Sequence, residues 1–165
     1  MKTKTRGRRR KCDQMVREIV ESTEKFPMPH PGEQYWHLHV FWHGLLDSTR
    51  VQRQCAQLML ERAQRLGTLA PENEMRARVV VIFTIPNFAS SQICIFYNEE
   101  AFRSFFERNS KTYGWRRLRE ERSLTRKWSI NIPDTFLEEG FAVELLDEDE
   151  RAKKEVWLYQ ALIDW

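Results

Sequence analysis

The run Arg78-Val79-Val80-Val81-Ile82-Phe83 constrains the chain more than any other stretch. Its β-branched and aromatic residues favour an extended backbone, and no polar face alternates through it, so the strand predicted over 77–85 must be covered on both sides at the centre of a sheet. Pro86-Asn87-Phe88-Ala89-Ser90-Ser91 then supplies turn residues, and Gln92-Ile93-Cys94-Ile95-Phe96-Tyr97 reads as the next strand. The gap is too short for a crossover helix, so the two strands are expected to be antiparallel neighbours.

The remaining elements are arranged around that pair. Cys12, Met15, Val16, Ile19 and Val20 fall at helical spacing, and Pro27, Pro29, Pro31 and Gly32 form a stiff link out of that helix. Glu33 to His43 follows, Glu-Gln-Tyr-Trp-His-Leu-His-Val-Phe-Trp-His. Alternation with period two predicts a strand over 35–41, with Trp36, Leu38 and Val40 on one side and Tyr35, His37, His39 and Phe41 on the other. Thr49 with Gln52 reads as a capping box for a helix that Gly67 should end. Asn98, followed by Glu99 and Glu100, should cap a third helix closing at Arg108. Trp128, Ile130 and Ile132 alternate as a strand over 127–132 that Pro133 stops. Asp134 is expected to start a short helical turn that Gly140 ends. Residues 141–146 and 156–162 read as strand arms around an acidic loop. The sum is an α+β domain with a mostly antiparallel sheet of about five to six strands and about three helices packed largely on one face.

At 165 residues the chain has the size of one domain, able to bury roughly 70% of the surface exposed when unfolded. No apolar run approaches the roughly 18 to 20 residues of a membrane span, and the basic N-terminus is not followed by an apolar signal core. Cys12, Cys55 and Cys94 are odd in number and set among core-type residues, which suits reduced thiols in the cytoplasm. Residues 1–11 carry seven Lys or Arg and no acid, so they are read as a basic tail free to be disordered, with the α+β domain over 12–165. Within the domain, 111–127 holds seven basic and two acidic residues, and 134–155 holds nine acidic and three basic. Two patches of opposite sign are expected unless folding interleaves them.

No motif names a reaction. There is no Gly-x-Ser-x-Gly and no glycine-rich phosphate loop, and a buried thiol is a poor nucleophile. Tyr35, His37 and His39 could line a pocket. His37 and His39 stand roughly 7 Å apart along a strand and could share a metal with His43, although no carboxylate nearby completes a ligand set, so neither metal nor cofactor is expected. The better candidates are protein contacts: the apolar loop residue Phe88, the basic Arg116, Arg117, Arg119 and Arg122, and the acidic Asp147, Glu148, Asp149 and Glu150. Nucleic-acid binding through residues 1–11 and the 111–127 segment is the competing reading, because both could neutralise phosphates.

Tyr35-Trp36-His37-Leu38-His39, then Arg78-Val79-Val80-Val81 leading to Ile85-Pro86 and Ser91-Gln92-Ile93, then Trp128 with Ile132-Pro133, resemble in order and spacing a bacterial family of about this length known only as a domain of unknown function. The likeness runs from about Phe26 to Tyr159 and implies a bacterial cytosolic α+β domain without an established activity. The profile, small with segregated charge and no catalytic motif, also resembles immunity proteins encoded beside bacterial toxins. A non-enzymatic module that binds and neutralises a toxin-like protein is therefore the functional expectation, with an enzyme or metal protein centred on His37 and His39 as a further alternative.

Overall fold

A computed structural model describes residues 7, 10–11, 13–14, 16–18, 35–39, 49–68, 76–85, 91–118, 122–144 and 154–164. In chain order the elements are β1 (Tyr35–His39), α1 (Thr49–Thr68), β2 (Arg76–Ile85), β3 (Gln92–Phe96), α2 (Glu99–Tyr113), β4 (Arg116–Arg117), α3 (Leu124–Trp128), β5 (Leu137–Ala142) and β6 (Glu155–Asp164). The described residues between 7 and 18 have helical backbone. The six strands form one sheet in the order β1-β3-β2-β6-β5-β4, and every neighbouring pair is antiparallel.

The valine-rich run is β2, placed inside the sheet between β3 and β6, as its two apolar faces require. Its ladder with β6 is the longest, from Arg76 opposite Asp164 to Ile85 opposite Glu155. Alternate residues feed two cores. Val79, Val81 and Phe83 face a layer built by Val51, Cys55, Leu60 and Ala63 of α1 and by Leu124 and Trp128 of α3, with Val16 packed against it. Val80 and Ile82 face the other way, onto Phe102, Phe105 and Phe106 of α2. Packing largely on one face thus holds for α1, α3 and the helical residue Val16, while among the described helices α2 covers the opposite face.

The α2 layer is aromatic. Phe96 meets Phe102 and Phe105 at centroid distances of 5.6 and 5.2 Å, and Trp115 stacks on Phe141 at 5.6 Å. These separations suit ring quadrupoles in tilted and edge-on contacts. Asn98 caps the helix as its sequence suggests, its side chain accepting from the Ala101 N–H at 2.7 Å, with Glu99 and Glu100 in the first turn.

Four local expectations are corrected. First, α1 continues through Gly67 to Thr68, and Thr49 is its first residue rather than its cap. Second, α2 does not close at Arg108 but runs to Tyr113, where Gly114 adopts the left-handed conformation (φ 59°) that a helix-ending residue needs. Third, 127–132 is not a strand. Ser123 caps α3 by accepting from the Arg126 N–H, and Ser129 ends it at φ 50°. Trp128 and Ile130 are both buried, so the alternation read as a strand is produced by a helix end and a turn. Fourth, Asp134 lies in a turn closed by the Phe136 N–H donating to Pro133 O at 2.9 Å, and Gly140, expected as a helix stop, sits inside β5. That strand occupies 137–142, earlier than the expected 141–146.

Candidate functional site

Register determines what the sheet brings together. Ile85 at the end of β2 stands opposite Glu155, Glu155 opposite Ala142, and Ala142 opposite Arg116. Across the other half, His39 at the end of β1 stands opposite Gln92 at the start of β3. The connection 86–91 containing Phe88, the connection 143–154 containing the acidic run, the start of β4 and the end of β1 therefore all leave the sheet at the same end. Segments far apart in sequence become neighbours there because each strand pair reverses direction.

At this end the oppositely charged segments are interleaved. Arg116 stands opposite Ala142 and pairs diagonally with Glu144 at 2.5 Å, while Arg117, opposite Phe141, pairs diagonally with Glu139 at 2.5 Å. Diagonal neighbours two residues along an antiparallel partner are within reach of long side chains. Arg122 pairs with Glu155. All three guanidiniums remain exposed, from 50% to 75%, so the pairs are solvated and hold their partners weakly. The surface is a mosaic of both signs where the sequence allowed two separate patches.

Between β4, β5 and α3 lies a cleft of about 320 Å³, lined by Arg117, Arg122, Arg126, Glu138, Glu139 and Trp157 among others. Glu138 is its most connected side chain. It accepts from the Leu124 N–H at 2.7 Å, from the Ser123 hydroxyl at 3.1 Å and from the Thr125 hydroxyl. The Thr125 hydroxyl also lies 3.2 Å from Tyr159 Oη, which is fully buried. Burial pushes the Tyr159 phenol well above its ordinary range, with the neighbouring Glu138 charge adding to the shift. Gly140 forms the floor: a β-carbon there would lie 2.8 Å from Trp157 Cζ3 and 2.9 Å from Leu118 Cδ1. Glycine is what lets the indole lie against the strand.

Of the sequence-derived candidates, Arg116, Arg117 and Arg122 are brought together with their acidic partners at this corner. Phe88, Arg119, His43 and the run Asp147, Glu148, Asp149 and Glu150 lie outside the described residues. Tyr35, His37 and His39 are described as backbone only, with His37 opposite Cys94 and in line with Val80. Among the described residues no three His, Cys, Asp or Glu side chains are grouped as a metal would require, and no helix is long and apolar enough to cross a membrane. The Cys55 and Cys94 thiols are buried and unpaired; burial pushes Cys94 up to about 12 and Cys55 higher, which leaves little thiolate at neutral pH.

Glu138, Glu139 and Trp157 were not singled out from the sequence; Gly140 was expected only as a helix stop, and Arg126 only as part of the basic 111–127 segment. The comparable numbers of opposite charges in 111–127 and 134–155 were the available signal that the segments could pair. The sequence placed Glu138 and Glu139 in a helical turn, which concealed the cross-strand geometry.

With this architecture in view, comparison with protein families assigns the chain. Residues 16–161 match the model of a family described as Protein of unknown function (DUF3916), and the chain belongs to that family. No curated protein matches it, and no solved structure does.

Proposed function

We propose that the protein is a non-enzymatic protein-binding module of the immunity type, one that binds and neutralises a cognate bacterial toxin in the cytoplasm. The observation that supports this reading is the gathering, at one end of an antiparallel sheet, of the strand ends that flank the segments holding Phe88 and Asp147 to Glu150, together with the exposed Arg116, Arg117 and Arg122. Loops and strand ends gathered on a scaffold are a common way to present contact residues. A surface of both signs suits a protein partner more than a uniformly charged one, and complementary charges on its rim would accelerate capture.

Co-expression with the product of the neighbouring toxin-like reading frame tests it. Wild-type protein is expected to protect the cells. A variant with Asp147, Glu148, Asp149 and Glu150 all changed to Lys is expected to fold, by far-ultraviolet circular dichroism, yet to protect less and capture the toxin more slowly. Failure of the wild type to protect would overturn the reading.

A further inference from the structure

A second charged surface is built by the N-terminal helical residues, α1 and α3, the last of which also borders the cleft through Arg126, beside Glu138 and Glu139. The helical residues near the N-terminus reach the start of α1, where Arg50 lies 3.5 Å from Asp13. Val16, Arg53, Gln54, Gln57, Leu58, Ser129 and Ile130 line one cavity of about 450 Å³, so the N-terminal helical residues, the first turns of α1 and the end of α3 lie side by side. A further link is the Asn131 N–H donating to Gln57 Oε1 at 2.8 Å.

These elements carry Arg10, Lys11, Arg17, Arg53, Arg126 and Lys127, all exposed. None of the six has an ion-pair partner among the described residues. Among the described residues the acids on the same elements are engaged: Asp13 faces Arg50, Glu18 accepts from Gln14 at 2.9 Å, and Glu61 accepts from Gln57 at 3.1 Å. Arg116, Arg117 and Arg122, by contrast, each have a glutamate partner. Tertiary structure thus joins the described helical residues between 10 and 18 to the unpaired end of the 111–127 segment, and leaves out the arginines that looked strongest in the sequence.

We propose that this three-element face binds the phosphate backbone of a DNA duplex. Unpaired cations from separate elements suit a repeating row of phosphates. The large exposed apolar side chains among the described residues are Tyr113, Leu137 and Leu162, none of them on these elements, so no stacking platform for unpaired bases accompanies the charge. Binding is then independent of sequence and favours a duplex over a single strand. The proposal rests on residues other than those of the protein-binding reading, and each can fail alone.

Fluorescence anisotropy with a labelled DNA duplex of about 20 base pairs, titrated from about 50 mM salt upward, tests it. Wild-type protein is expected to bind and to weaken steeply with salt. Changing Arg53, Arg126 and Lys127 together to Ala should lower affinity about tenfold and flatten the logarithmic salt slope by about 2 to 3. Changing Arg116, Arg117 and Arg122 together to Ala should leave binding within about twofold. Circular dichroism on both variants establishes that they fold. Absence of duplex binding at the lowest salt, an equal loss in the two variants, or tighter binding of the matching single strand would overturn the proposal.

Discussion

At the scale of single residues, Gly140 shows how one position can carry the geometry of a site. Interior strand positions disfavour glycine, because it loses more backbone freedom than other residues and has no side chain to pack. Here that cost is accepted because the Trp157 indole and Leu118 occupy the space a β-carbon would need, with approaches of 2.8 Å to the ring carbon Cζ3 of Trp157 and 2.9 Å to the terminal methyl Cδ1 of Leu118. Gly140→Ala is expected to destabilise the protein by about 1 to 3 kcal/mol through overpacking, read as a lower midpoint in urea unfolding. A midpoint equal to that of the wild type would show that the indole can move aside. The sequence presented this glycine as a helix terminator, a reasonable local reading, since the reason for it is a ring that arrives from residue 157.

At the scale of elements, α3 has only five residues, too few to be stable by its own hydrogen bonds. It is held from both sides: Leu124 and Trp128 are buried in the core, and Glu138 of β5 satisfies the Leu124 N–H and the hydroxyls of Ser123 and Thr125. Glu138→Ala removes the acceptor for one backbone donor and two hydroxyls, and a loss of about 1 to 3 kcal/mol is expected. Hydrogen exchange should show the amides of α3 losing protection before those of β2 and β6. Unchanged protection at Leu124 would contradict this account. The contrast with α2 is instructive: Asn98, the two glutamates and the phenylalanine stripe are local signals, and the helix begins where they indicate. Its extension past Arg108 to Gly114 is also local, since glycine in the left-handed region is the actual stop. The misread strand over 127–132 had no such remedy, because the carboxylate that organises α3 belongs to another part of the chain.

At the scale of the whole molecule, buried acidic protons link stability to pH. The Cys94 thiol has an ordinary value of 9.0 and is pushed up to about 12 by burial, and the buried Tyr159 phenol moves in the same direction from 10.0. Below about pH 8 both groups are protonated whether the chain is folded or not, and they make no difference to stability. As pH rises from about 8 towards 12 the unfolded chain releases protons that the folded chain retains, so stability falls. Urea midpoints should therefore be lower at about pH 10.5 than at about pH 8, and equal midpoints would contradict the linkage. The sequence by itself determined the α+β class, the central valine-rich strand, its antiparallel neighbour, the Asn98 helix and the burial of Cys55 and Cys94, because all of these follow from residue type and period along a contiguous stretch. Only the tertiary structure decided that α2 takes the opposite face from α1 and α3. It also decided that Arg116, Arg117 and Arg122 are paired with glutamates while Arg53, Arg126 and Lys127 remain free of ion pairs among the described residues. Charge pairing depends on distances of a few ångströms between residues such as Arg117 and Glu139, 22 positions apart, or Arg122 and Glu155, 33 apart, and strand register, not local pattern, sets those distances.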